Sequence, residues 1–116
     1  MSRRNHRTVA EQLAAAPFTV RLGGEVFDVP VLPLGPTLAW QEALAAREEI
    51  YKDHLAAGTM TTRLLADQLR DTAGLVFDYL KLGEAKRAEL MERATAREFN
   101  AALLEIVKVS FQLAAS

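Results

Sequence analysis

This 116-residue chain has only two histidines, His6 and His54, and no cysteine. Without cysteine there is no thiolate nucleophile, no disulfide and no thiolate metal ligand, which fits a reducing compartment. A histidine base needs an orienting partner and a nucleophile within hydrogen-bond reach. His6 sits in a basic N-terminal stretch, and His54 adjoins Asp53, whose side chain on a helix points about 100° away. Neither has a partner set, and His54 reads as a solvated helix residue. No HExxH, CxxC or EF-hand spacing occurs. Glu48 and Glu49 lie between Arg47 and Lys52, the arrangement of a charged helix surface rather than of an acid–base pair. Gly23-Gly24 belongs to neither phosphate-binding pattern, GxGxxG or GxxxxGK[ST], and no helix follows it directly, so it reads as a turn. The sequence therefore offers no catalytic residue, no cofactor-binding residue and no metal ligand. It reads as a non-enzyme.

What remains is apolar chemistry. Trp40 and Tyr51 on a long helix, and Leu104, Val107 and Phe111 on the last one, are the candidate protein-binding residues, because large apolar groups anchor protein interfaces. Core packing is the competing reading for all five, most strongly for Trp40.

Elements must hold these residues in place. Thr8 and Glu11 have the spacing of a capping box and open a short helix over about 9–16, which Pro17 stops. Phe18–Leu22 and Glu25–Val29 flank the two glycines, and the spacing predicts a two-residue hairpin. In that register Leu22 faces Glu25, Arg21 faces Val26, Val20 faces Phe27, Thr19 faces Asp28 and Phe18 faces Val29. Phe18, Val20, Phe27 and Val29 share one face; Thr19, Arg21 and Asp28 share the other. An isolated hairpin is marginal in water, so its apolar face must lie on helices or join another sheet.

Pro30, Pro33 and Pro36 hold 31–36 extended as a connector. A helix over about 36–57 places Trp40, Leu44, Tyr51 and Leu55 along one side, with Gly58 as its stop. Thr59, Thr61 or Thr62 caps the next helix, over about 63–82, which Gly83 ends. Its stripe of Leu65, Leu69, Ala73, Val76 and Leu80, beside a second of Leu75, Tyr79 and Leu82, makes it central in the bundle. Gly74 inside it costs about 1 kcal/mol relative to alanine, which close packing against a neighbour offsets. A short charged helix covers 84–93. Thr95 and Glu98 form a second capping box and open a helix to about Leu113. There Phe99, Ala102, Leu103, Ile106, Val109 and Leu113 share one face, and Leu104, Val107 and Phe111 form a flank beyond it. Glu105, Lys108 and Gln112 mark a narrow polar strip. That is more apolar surface than one contact in so small a protein covers, and it implies a second packing surface.

The fold class is α+β: an N-terminal β-hairpin followed by a small bundle of three to four helices. The length fits a single domain over 1–116, with a basic flexible tail at 1–7, the hairpin within 18–32 and the helical part at 36–113; such a chain buries roughly two-thirds of its unfolded surface. Half the residues are apolar and a quarter charged, an ordinary globular balance. The net charge is −1, and three of the 14 basic residues, Arg3, Arg4 and Arg7, cluster at the tip, which leaves 11 against 15 acidic residues elsewhere. Neutralising phosphates requires a basic surface, so no nucleic-acid partner is expected, and the tip reads as a solvated tail. No secretory h-region and no membrane-length apolar run are present, so the expectation is cytoplasmic, with no membrane contact.

The segment from Phe18 to Trp40, FTVRLGGEVFDVPVLPLGPTLAW, resembles the opening of the tail assembly chaperones of long-tailed bacteriophages, in which a hairpin runs into a "VPPLTLGQL"-like connector and then a helix. Thr95 to Glu105, TAREFNAALLE, is similar to their threonine-capped closing helix. The likeness spans most of the chain from Phe18 to Phe111. It departs at Pro36, where the family pattern more often has glutamine or another helix former. The resemblance implies binding of a tape measure protein, or another tail protein, in a bacterial host's cytoplasm while the tail tube polymerises. The flank could equally meet a second copy, giving a homo-oligomer. The alternatives are a structural virion component, such as a neck or tail-completion protein, and a small nucleic-acid-binding regulator that uses the basic tip.

Overall fold

The computed structural model describes residues 18–115, with side chains through Phe111. The basic tail, His6, the Thr8–Glu11 box, the helix expected over 9–16 and the side chain of Leu113 lie outside the described residues. Strand β1 (Thr19–Leu22) pairs antiparallel with β2 (Glu25–Asp28) in the register set by the two glycines. The Val29 N–H extends the ladder to the Phe18 carbonyl at 2.7 Å. Gly23 and Gly24 have φ of 57° and 85°, the positive values that a type I′ turn demands of both central residues. Gly23 is doubly constrained, because a Cβ there would come within 3.1 Å of the Arg93 Cβ. Val20, Leu22 and Val29 enter the core, while Thr19, Arg21 and Asp28 face outward with Val26.

Helix α1 (Leu34–Ala57) begins two residues earlier than the sequence reading placed it. Pro36 is its third residue, still in the first turn, where no N–H has an intrahelical acceptor and proline loses nothing. The first ladder bond runs from Thr37 N–H to the Pro33 carbonyl at 3.0 Å, and the Thr37 hydroxyl donates to the same oxygen. Gly58, with φ of 70°, closes the helix as Thr59 N–H reaches back to the His54 carbonyl at 2.9 Å.

Helix α2 (Thr62–Leu80) is capped by the Thr61 hydroxyl, which accepts from Leu64 N–H at 3.1 Å. Its end corrects the expectation of a stop at Gly83: Lys81 takes the left-handed conformation, φ 56°, and Leu82 N–H bonds the Phe77 carbonyl at 3.2 Å. Gly83 instead stands before α3 (Glu84–Arg93) as its N-cap. Helix α4 (Ala96–Ala115) follows. Among the described residues, no helix is long and apolar enough to cross a membrane.

The architecture is an N-terminal hairpin followed by helices, α+β, with α2 at its centre packed against both α1 and α4, and β1 laid on α4. Val76, Tyr79, Leu90, Ile106 and Leu22, from four different elements, are fully enclosed. The Tyr79 hydroxyl donates to the Pro30 carbonyl at 2.8 Å, which ties the connector to α2. Lys86 on α3 holds both carboxylate oxygens of Glu25 at 3.0–3.1 Å, which ties the hairpin to α3.

Two expectations about the core fail for one reason. Leu55 on α1 is 72% exposed, and Leu65 and Leu69 on α2 are exposed too. The stripes are real, but the far ends of α1 and α2 run beyond the elements that cover the rest of them. Gly74 corrects a third expectation: nothing lies within 4 Å of where its Cβ would stand, so close packing does not account for it.

Candidate protein-binding surface

Helix α4 is fixed at its start by the reciprocal bonds of the capping box. Thr95 N–H donates to Glu98 Oε1 at 2.9 Å, and Glu98 N–H to Thr95 Oγ1 at 3.1 Å. The same carboxylate oxygen accepts the Gly23 N–H at 3.2 Å, pinning the hairpin turn to the helix start. These two backbone donors, Thr95 first and then Gly23, hold the Glu98 carboxyl below its ordinary range. Phe99 then meets Phe77 edge to face at 5.4 Å, with the Arg87 guanidinium over the Phe77 ring. Phe77 was missed as a core residue in the sequence because it widens the apolar arc of α2 rather than extending either stripe. Ala102, Ile106 and Val109 complete the inner face, and the enclosed Ser110 donates to the Val107 carbonyl at 2.9 Å while accepting from Gln41 of α1 at 3.3 Å.

On a helix held this firmly, Leu104 is 65% and Phe111 56% exposed. Seven residues apart, they stand two turns from one another on one side. Val107 between them is half-buried and packs against the core cluster, so it braces the strip from beneath. Leu34 and Leu38 on α1 are also exposed.

The other two candidates lie elsewhere. Trp40 is only 6% exposed; its Nε1–H donates to the Leu75 carbonyl at 2.8 Å, and its ring meets Tyr79 edge to face at 5.3 Å. Its indole is consumed by the chain's own core, the role the sequence favoured for it, and its candidacy as a surface anchor is thereby corrected. Tyr51 is likewise buried, its hydroxyl donating to Asp71 of α2, which Arg47 also approaches at 3.4 Å. That hydrogen bond first, with burial and the charges of Asp71 and Asp67, pushes the Tyr51 pKa up to about 12. Tyr51 does line an open groove of about 620 Å³ between the far ends of α1 and α2, with Leu55, Met60 and Leu65. Glu48, Lys52 and Gln68 line it too.

His54 Nδ1 lies 2.8 Å from the Thr59 hydroxyl at the end of α1, a local closing contact. Among the described residues no three His, Asp or Glu side chains gather as a metal site would require, and no buried side-chain polar atom lacks a partner. The buried polar groups are thus spent on holding elements together. Comparison of the chain with protein-family models, with curated proteins and with solved structures finds no match in any of the three.

Proposed function

We propose that this chain is a non-catalytic protein-binding module whose working face is the Leu104–Phe111 strip of α4. Its role would be that of a tail assembly chaperone, covering the apolar helices of a tape measure protein while the tail tube polymerises around it. The observation that carries the reading is the exposure of two large apolar side chains, two turns apart, on a helix whose opposite face is fully packed. An amphipathic partner helix presents anchors at the same spacing, i and i+7, and buries them without requiring α4 to move. The chaperone role itself rests on the resemblance of the hairpin, connector and capped last helix to that family.

The test is co-expression with the tape measure protein whose gene, on this reading, adjoins the gene for this chain. The two should co-purify, and Leu104→Asp with Phe111→Asp should abolish recovery while circular dichroism stays unchanged. Val107 is unsuited to this test because it also supports the core. A chaperone is absent from finished particles. Recovery in them at fixed copy number would instead establish the structural virion component, and DNA binding with a steep salt dependence would establish the regulator.

A further inference from the structure

The exposed strip on α4 continues onto α1. The Gln41–Ser110 hydrogen bond bridges the two helices, which both flank α2. Leu44, Arg47 and Glu48 share a groove with Asn100 and Leu103, so the chain rises along α1 as it descends along α4, and the two are antiparallel. At about 1.5 Å per residue from that fixed point, Leu38 stands about 3 Å beyond the level of Phe111, and Ala45 lies between the levels of Leu104 and Val107. Counting about 100° per residue, Leu38 and Ala45 fall on the outward side of α1 next to α4, as Leu104 and Phe111 do on α4 next to α1. All four are exposed, which makes one apolar face across two helices.

The charges bordering this face differ in sign between its halves. Glu42 and Glu49 edge the α1 half, whereas Lys108 and Arg97 edge the α4 half, all exposed. Among the described residues Glu42, Glu49 and Arg97 have no ion-pair partner within 4 Å, and Lys108 has only Glu105, three residues away on its own helix at 3.8 Å. A face acidic on one half and basic on the other is complementary to itself when turned about a two-fold axis.

We infer that the occupant of this face in the isolated protein is a second copy of the chain, related by a two-fold axis parallel to the helices. That operation lays α1 of each copy along α4 of the other, antiparallel. It sets Leu38 against Phe111 and Ala45 against Leu104, and it brings Glu42 beside Lys108 twice over. The inference shares the exposed strip with the proposed function and goes beyond it: a client would have to displace the second copy, so self-association and client binding compete.

The test uses the full chain alone in analytical ultracentrifugation at about 100 μM, a concentration that populates an interface of ordinary size. A species of twice 12.8 kDa is expected. Leu104→Asp should give a folded monomer. Glu42→Lys and Lys108→Glu should each weaken the dimer about tenfold or more through like-charge contact. Mixing these two single variants should restore it, because in the mixed dimer every contact is again between opposite charges; the double variant should likewise dimerise by itself. A monomeric wild type overturns the inference, as does a dimer indifferent to the charge exchange. Client binding by a monomeric wild type would leave the proposed function standing alone, and a charge-dependent dimer without client binding would do the reverse.

Discussion

The two tyrosines illustrate how one kind of group is put to structural use. Tyr51 donates a hydrogen bond to Asp71, and Tyr79 is enclosed with its hydroxyl on the Pro30 carbonyl; hydrogen bonding to a carboxylate in the first case and burial in the second raise both above the ordinary value of 10.0. They are the chain's only tyrosines, so the native protein should show no phenolate absorbance step near pH 10, whereas the protein in denaturant should. Because the folded pKa values are the higher ones, the stabilisation is fully present below pH 10. It is lost as pH rises from there through about 12, which urea titrations at increasing pH would record. Trp40 and Leu104 separate just as clearly. Trp40→Ala should cost about 3–5 kcal/mol by chemical denaturation, while Leu104→Ala should stay within about 0.5 kcal/mol. The sequence identified both as large apolar residues on helices. It leaned to the core for Trp40 and left Leu104 open, and what separates them in the fold is a neighbour supplied from about 35 positions away, the Leu75 carbonyl that receives the indole N–H.

At the scale of elements, local chemistry was legible wherever a turn or cap specifies itself. Gly23-Gly24 dictated the hairpin register, and Thr95 with Glu98 dictated the start of α4. Boundaries governed by less specific chemistry were not: Lys81 ends α2 in a conformation that glycine would have advertised, and the first turn of α1 tolerates the proline at which the sequence reading starts the helix. Gly74 now stands as an unforced cost. Its φ is negative, its Cβ position is open, and Gly74→Ala should raise stability by about 1 kcal/mol in urea unfolding. Glu98 is the opposite case, a side chain serving two elements. With its carboxyl depressed by the Thr95 and Gly23 N–H groups, its contribution is present above the ordinary carboxylate range and lost as pH falls through its lowered value. Glu98→Ala should therefore lower the melting temperature at pH 7 and flatten the acid limb, and it should speed exchange of the Gly23 amide.

Across the described residues, α2 packs against both α1 and α4 and the hairpin lies on α4, a body about two layers thick. A body so thin has little interior, which explains why apolar stripes outrun their cover. Periodicity in the sequence reports which side of a helix is apolar and says nothing of where the neighbouring helix stops. Leu65 and Leu69 continue the line of Ala73 and Val76 yet lie in the open. Amide exchange should resolve this gradient: residues 72–80 of α2 should open only with global unfolding, and 62–69 at much lower free energy. The same limit governed the candidate site. The flank of α4 was legible as surplus apolar surface, whereas its continuation onto α1 depends on Gln41 meeting Ser110, a pairing 69 positions apart.

The carboxylate of Glu98 reaches an amide made 75 residues before it. During synthesis at about 5–20 residues per second, the hairpin therefore leaves the ribosome several seconds ahead of the helix on which it comes to rest. In that interval Val20 and Leu22 have no α4 to lie against, and the nascent chain is itself in the condition of a protein awaiting cover. A stop codon placed before Thr95 should leave that hairpin permanently uncovered and send the product to proteolysis or aggregation.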